Sequence, residues 1–207
     1  MTIALIDYQV GNLFSVTGAV EHCGGRVELV SEPTRLADYP AAILPGVGNF
    51  GDGMASLRRN GFVSELLKFA ASGRPLLGIC MGMQMLLDSS EEAPGEPGLG
   101  LIGGKVRLFP SAKGFKVPQI GWNQVKIPTA SPLFDGVPDE SFFYFVHSYY
   151  ADPADSADVI GTTDYIVPYA SAVGRGNIFG VQFHPEKSQN CGLRIVRNFI
   201  GIVDAQK

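Results

Sequence analysis

At 207 residues the chain has the length of one domain with an ample core, and 45% hydrophobic against 17% charged residues is an ordinary globular composition. Sixteen Lys and Arg against 20 Asp and Glu leave a net charge of -4 with no basic run, which argues against a nucleic-acid partner. No apolar stretch approaches the roughly 18 residues that span a bilayer. The three cysteines, Cys23, Cys80 and Cys191, have neither metal-ligand nor disulfide spacing, so they predict a cytoplasmic protein with no metal and no cofactor.

The first residues reach Asp7 after a short apolar run with no basic segment before it, which predicts a strand over 2–8 and not a signal peptide. Leu13, Val16 and Val20 follow at helical spacing, then Arg26 to Val30 extended, giving a strand, helix, strand unit. Ala41 to Leu44 forms a third strand ending in Pro45-Gly46. A second helix carries Val63, Leu66, Leu67, Ala70 and Ala71 on one face and stops at Gly73. The apolar run Pro75 to Ile79 then predicts a buried parallel strand, at whose carboxyl end open α/β sheets place their ligands.

That end is occupied by Gly78-Ile79-Cys80-Met81-Gly82, which reads as a nucleophile elbow leading into a helix over Met83 to Leu87. The glycines make room for a strained turn that lifts one side chain clear, and a helix N-terminus favours the thiolate of that side chain. A buried structural cysteine is the competing interpretation of the pentapeptide alone.

Ser89 to Gly100 predicts a loop. The runs Lys105 to Phe109 and Ser141 to Val146 then suggest antiparallel pairs. A hairpin turn near Gly174 to Asn177 leads into Ile178 to Phe183, and a last helix shows Val196, Phe199, Ile200 and Val203 on one face. The expected fold is a single α/β domain over residues 1–207: an open, mostly parallel, flavodoxin-like sheet flanked by helices, with antiparallel strands in its second half.

A cysteine nucleophile needs a base, and the base needs a group to orient it. Of three histidines, His22 ends a helix and is expected at the surface. His184 stands in Phe183-His184-Pro185-Glu186, where an extended, proline-fixed backbone would aim His184 and Glu186 the same way. His147, among aromatic residues, is a second candidate base or a binding residue, ranked lower because its next carboxylate in the chain is Asp152. An oxyanion hole is expected from the Met81 amide and the loop Pro45-Gly46-Val47-Gly48.

Gly-Ile-Cys-Met-Gly-Met-Gln with a downstream Phe-His-Pro-Glu resembles the class I, or triad-type, glutamine amidotransferases. The resemblance implies Cys80 as nucleophile, His184 as base and acid, Glu186 as the orienting carboxylate, and hydrolysis of L-glutamine through a glutamyl thioester. Pro45 to Gly48, Pro118 to Asn123 and Phe145 to Tyr150 are similar to the glutaminase subunits of imidazole glycerol phosphate synthase. Ile6 to Leu13 and Gly180 to Ser188 agree, so the likeness covers essentially the whole chain.

It implies a heterodimer in which a separate, barrel-shaped cyclase subunit uses the ammonia to make imidazole glycerol phosphate and aminoimidazole carboxamide ribotide in L-histidine biosynthesis. It further implies substrate contacts from Gly46, Gln84, Ser148 and Tyr149, a Val47 amide that turns toward the substrate when the partner is loaded, and an interface at Asn12, Trp122 and Lys187. Two positions depart from the pattern: Gln9 stands where the family usually has glycine, and Gln119 where it has histidine. The rival interpretations are a glutaminase subunit of another synthase, a cysteine peptidase or thioesterase, and an inactive interaction subunit.

Overall fold

Short apolar runs build the sheet, buried continuously in the central strands of its parallel half, and amphipathic segments between them cover its faces. The computed structural model describes residues 1–205. Its first half runs β1 (Thr2–Ile6), α1 (Leu13–His22), β2 (Arg26–Val30), β3 (Ala42–Leu44), α2 (Phe50–Arg59), α3 (Phe62–Ala71), β4 (Leu76–Ile79) and α4 (Met81–Met85). The second half runs β5 (Ser89–Ser90), β6 (Gly104–Leu108), β7 (Gln119–Val125), β8 (Ser141–His147), β9 (Tyr149–Pro153), β10 (Val159–Asp164), β11 (Pro168–Arg175), β12 (Ile178–Val181) and α5 (Gln189–Asp204).

The sheet order is β2-β1-β3-β4-β12-β11-β9-β6-β5, with β10 paired to β11 and a separate β7-β8 hairpin. The five strands from β2 to β12 are mutually parallel, whereas β12, β11, β9 and β6 pair antiparallel, as expected for the second half. Ile3, Leu5, Ile43, Leu77 and Ile79 face α1 and α5 through Val16, Val20, Val196 and Phe199. The alternate residues Ala4, Ile6, Leu44 and Leu76 face α2 and α3 through Leu57, Leu66 and Phe69. β4 is therefore buried on both faces, and its carboxyl end lies at the sheet's centre.

Three local expectations change. Helix α2 was not foreseen, because Gly51 and Gly53 dilute its helical signal. It is nonetheless capped by the Asn49 side chain, which accepts from the Gly51 and Asp52 amides at 2.7 and 3.2 Å. A side chain at Gly53 would meet the Met81 terminus at 2.8 Å, so the glycine lets the helix lie against the elbow. Helix α4 ends at Met85 and does not continue to Leu87, since the returning chain takes its carbonyls: Leu99 donates to Met85 and Leu101 to Leu86. Lastly, Pro185–Lys187 is a 3-10 turn and not an extended segment.

Candidate active site

Cys80 adopts φ 56° and ψ -113°, a conformation that costs a non-glycine residue about 1–3 kcal/mol and persists only where the surroundings enforce it. They do so through contact distances. A Cβ on Gly82 would lie 2.0 Å from the Leu44 carbonyl oxygen, and one on Gly78 would lie 2.7 Å from the Gly82 backbone. Only glycines permit β3, β4 and the elbow to approach this closely. The Cys80 amide donates to the Val181 carbonyl at 2.8 Å, tying the elbow to β12.

His184 arrives from the end of β12. Its amide donates to the Tyr144 carbonyl at 2.9 Å, while the Ser188 hydroxyl donates to the His184 carbonyl at 2.7 Å and accepts from the Tyr144 amide at 2.9 Å. His184 Nδ1 meets Glu186 Oε1 at 2.9 Å. The tight turn at Pro185, and not period-two geometry, brings that carboxylate back onto the ring. With Nδ1 committed to Glu186, Nε2 is the nitrogen left for Cys80. Burial opposes the imidazolium, but the nearby Cys80 sulfur and Glu186 carboxylate favour it and prevail, raising the His184 pKa to about 10. Glu186 Oε2 is buried without a hydrogen-bond partner among the described residues.

His147 borders the same space, yet both of its nitrogens are engaged: Nδ1 with the Tyr149 carbonyl at 2.8 Å, Nε2 with the Tyr169 hydroxyl at 3.2 Å. Burial lowers its pKa to about 4 against the opposing pull of the Tyr149 carbonyl, so the ring is neutral near pH 7. The Tyr169 hydroxyl also contacts Gln119 Oε1 at 3.0 Å, which places that departure from the family pattern inside a buried network. His22 is exposed at the end of α1.

Cys80 and His184 open onto a cavity of about 240 Å³. Of the expected oxyanion and substrate residues, Val47, Met81, Gln84, Ser148 and Tyr149 lie on its walls, and so does Lys187, expected at the interface. Gly46 lies behind them, so close that a Cβ would be 2.5 Å from the Gly82 nitrogen; its place in the wall is taken by Val47 and Gly48. Asn12 and Trp122 are outside the cavity. Glu92 also lines it and carries no sequence signal, being one of two adjacent glutamates in a loop; its Oε2 accepts from the Phe50 amide at 2.7 Å. Gln84 spends both amide hydrogens on the Tyr149 carbonyl and on Gln182 Oε1, each at 2.9 Å, so only its carbonyl oxygen is left for a ligand.

The loop before α2 is held more lightly. Val47 is 39% exposed, and Gly48 sits at φ 90° with no atom within 4 Å of where a Cβ would stand. From the first loop the Tyr8 hydroxyl ties it down, donating to the Pro45 carbonyl at 2.8 Å. In that first loop Gln9 adopts φ 69°, a left-handed conformation supported by its amide bond to Asp7 Oδ1 at 3.1 Å.

A cysteine on a strained elbow, an imidazole held by a carboxylate and a mixed α/β sheet that joins them define a triad-type amidotransferase, and residues 4–202 match the model of the glutamine amidotransferase class-I family. The chain belongs to that family. Within it, the chain groups with proteins named imidazole glycerol phosphate synthase subunit HisH. The one from Moorella thermoacetica is 48% identical over 95% of this chain and 93% of its own length. That from Methylococcus capsulatus is 47% identical over 96% and 95%. A solved structure described as a glutamine amidotransferase superposes with a TM-score of 0.77 at 20% identity, covering 98% of each chain, and supports the fold.

Proposed function

We propose that this chain is the glutaminase subunit of an imidazole glycerol phosphate synthase, and that Cys80, His184 and Glu186 perform the hydrolysis. The observation that carries this reading is the His184 ring, fixed by Glu186 on one side and lining the same cavity as Cys80 on the other. Cys80 Sγ attacks the side-chain carbonyl of L-glutamine, forming the C–S bond. The Met81 and Val47 amides receive the oxyanion, and His184 protonates the departing nitrogen as the C–N bond breaks. A water then gives its proton to His184 and its oxygen to the acyl carbon, the C–S bond breaks, and glutamate leaves. Glu92 and the Gln84 carbonyl oxygen suit the substrate ammonium, with Ser148 and Tyr149 beside them.

Ammonia released into water would be protonated, so a partner covering the cavity mouth serves the next step. The outer face of the β7-β8 hairpin is built for such cover. Ile120, Trp122 and Phe142 are 63, 46 and 54% exposed, while Phe143 and Phe145 on the opposite face are buried. Ile120 pairs with Val146, which lines the cavity, so the apolar face runs up to the mouth, where Lys187 also stands. The occupant we assign is the cyclase subunit, with Trp122, Lys187 and Asn12 among its contacts and the cytoplasm as the location. No helix among the described residues is long and apolar enough to cross a membrane.

The test is glutamate release from glutamine, measured on the chain alone and with a cyclase subunit carrying its nucleotide ligand. Low activity alone, large stimulation in the complex, and none in Cys80→Ala are expected. Full glutaminase activity in Cys80→Ala would refute the assignment, and Trp122→Ala is expected to weaken the complex with the triad untouched.

A further inference from the structure

Behind the nucleophile, on the side away from the cavity, a run of side-chain amides ends at the sulfur. Gln182 follows β12, is 0% exposed, and anchors its own amide on the Ser171 carbonyl at 2.9 Å. Its side chain reaches between Gln84 and Cys80, with Oε1 at 2.9 Å from Gln84 Nε2 and Nε2 at 3.7 Å from Cys80 Sγ.

The orientation of these amides is dictated from the far end. A backbone carbonyl can only accept, so the Tyr149 carbonyl, 2.9 Å from Gln84, obliges Gln84 to present its nitrogen. That same nitrogen faces Gln182, which must therefore present its oxygen. The Gln182 NH₂ is left pointing at the sulfur, and a flip would set oxygen against the sulfur and nitrogen against nitrogen. An N–H donor bonds a thiolate more strongly than a thiol, because the charged acceptor is the stronger one. Gln182 thus approaches Sγ from the core, while His184 approaches it beside the cavity.

We propose that Gln182 is a further catalytic residue, whose side-chain N–H holds negative charge on Cys80 Sγ in the resting enzyme and again when the thioester breaks. The proposal rests on the reading of Cys80 as nucleophile. No proton leaves Gln182. In the first half-reaction the sulfur electron pair forms the C–S bond and the His184 proton departs with ammonia. In the second, water supplies oxygen to the acyl carbon and a proton to His184, and the C–S pair returns to sulfur. The Gln182 bond is strongest where the pair resides on sulfur, so it favours the starting thiolate and its re-expulsion.

The experiment follows iodoacetamide alkylation of Cys80 between about pH 5 and 9 in Gln182→Met, which keeps the volume and removes the donor. Mass spectrometry of the Cys80 peptide is the readout, with Cys23 and Cys191 as internal references. The titratable groups around Sγ are His184, Tyr8 from the first loop and, on the walls of the same cavity, His147, Glu92, Tyr149 and Lys187; the substitution leaves all of them in place. Alkylation near pH 6 is expected to slow about tenfold and the profile to move about one unit toward alkaline pH, converging with the parent near pH 9. A profile superimposing on the parent's overturns the proposal. If circular dichroism shows that Gln182→Met is unfolded, Gln182→Leu carries the same test. Failure of the underlying reading would show separately, as glutamine hydrolysis surviving in Cys80→Ala.

Discussion

The triad and the loop opposite it are built to different standards. Cys80 and His184 are 7 and 5% exposed, and the imidazole is bonded to Glu186 on one side while it shares the cavity with Cys80 on the other. The Pro45 to Gly48 loop, packed against Gly82 through Gly46, exposes Val47 and leaves open space where a Gly48 side chain would stand. Charge handling is therefore organised in advance, inside a low-dielectric core where a fixed dipole or ion is worth most. On the proposed assignment the oxyanion donor is the Val47 amide, on a segment that is packed against Gly82 at Gly46 and open to solvent at Val47. On the proposed function the difference teaches where regulation can enter: a partner need not assemble the nucleophile, only turn one amide.

The largest effect that separates the two regions comes from Glu186→Gln. A neutral amide in the carboxylate's place presents a donor as readily as an acceptor to Nδ1, so both the tautomer and the charge of His184 are lost. Turnover is expected to fall about 10³- to 10⁴-fold with and without the partner, read as glutamate release. A loss confined to the complex would mean that Glu186 serves the interface. Next comes Val47→Pro, which deletes the Val47 amide hydrogen. Partner-stimulated turnover is expected to fall about 10²- to 10³-fold, while Cys80 alkylation and complex formation stay at parental levels. Slower alkylation in that variant would show that the loop also shapes the nucleophile, and the contrast drawn here would collapse.

The same contrast explains what was legible beforehand. The elbow announced itself because steric demands leave a covalent trace: Gly78 and Gly82 must lack side chains, and Cys80 must follow a four-residue apolar strand. His184 and Glu186 were legible as a pair, but for the wrong geometric reason, since the proline starts a tight turn and does not hold an extended strand. The sheet's parallel half followed from alternating apolar runs, whereas α2 was hidden by glycines that exist for contact with Met81 and not for flexibility. Glu92 and Gln182 were invisible for a different reason. Their roles depend on contacts 42 residues away with Phe50 and 102 residues away with Cys80, and no local pattern records those.

A third prediction concerns acid. His147 is buried beside Phe109, Phe145, Tyr169 and, across the cavity, His184. Its folded pKa of about 4 lies below the ordinary value of 6.5, so the unfolded chain binds the proton first. Its share of stability is present above pH 6.5 and is lost as pH falls toward 4, amounting to about 3 kcal/mol. His184 has the opposite sign: its share is present below pH 6.5 and is lost as pH rises toward about 10. Denaturant midpoints at pH 7 and 4.5 are expected to draw together in His147→Gln, which keeps a donor for the Tyr149 carbonyl. Unchanged acid sensitivity would assign it to other groups. The loop, with no titratable side chain from Pro45 to Gly48, should open equally at both values.

The smallest effect is the sharpest for the loop itself. Tyr8 is fully buried, and its hydroxyl bonds the Pro45 carbonyl two residues before Val47. Replacing it with Phe keeps the ring in the core and removes about 1 kcal/mol of support from the loop's present conformation, as expected for one intramolecular hydrogen bond. If that conformation is the resting one, the turned amide becomes about fivefold more populated in the isolated chain. Partner-free glutaminase activity should then rise by that factor, while the stimulated rate, in which the partner already enforces the turn, stays level. The ratio of stimulated to unstimulated turnover is the quantity to measure. A fall in both rates by the same factor would mean that Tyr8 supports the catalytic conformation, and the loop would then belong with the triad among the parts finished in advance.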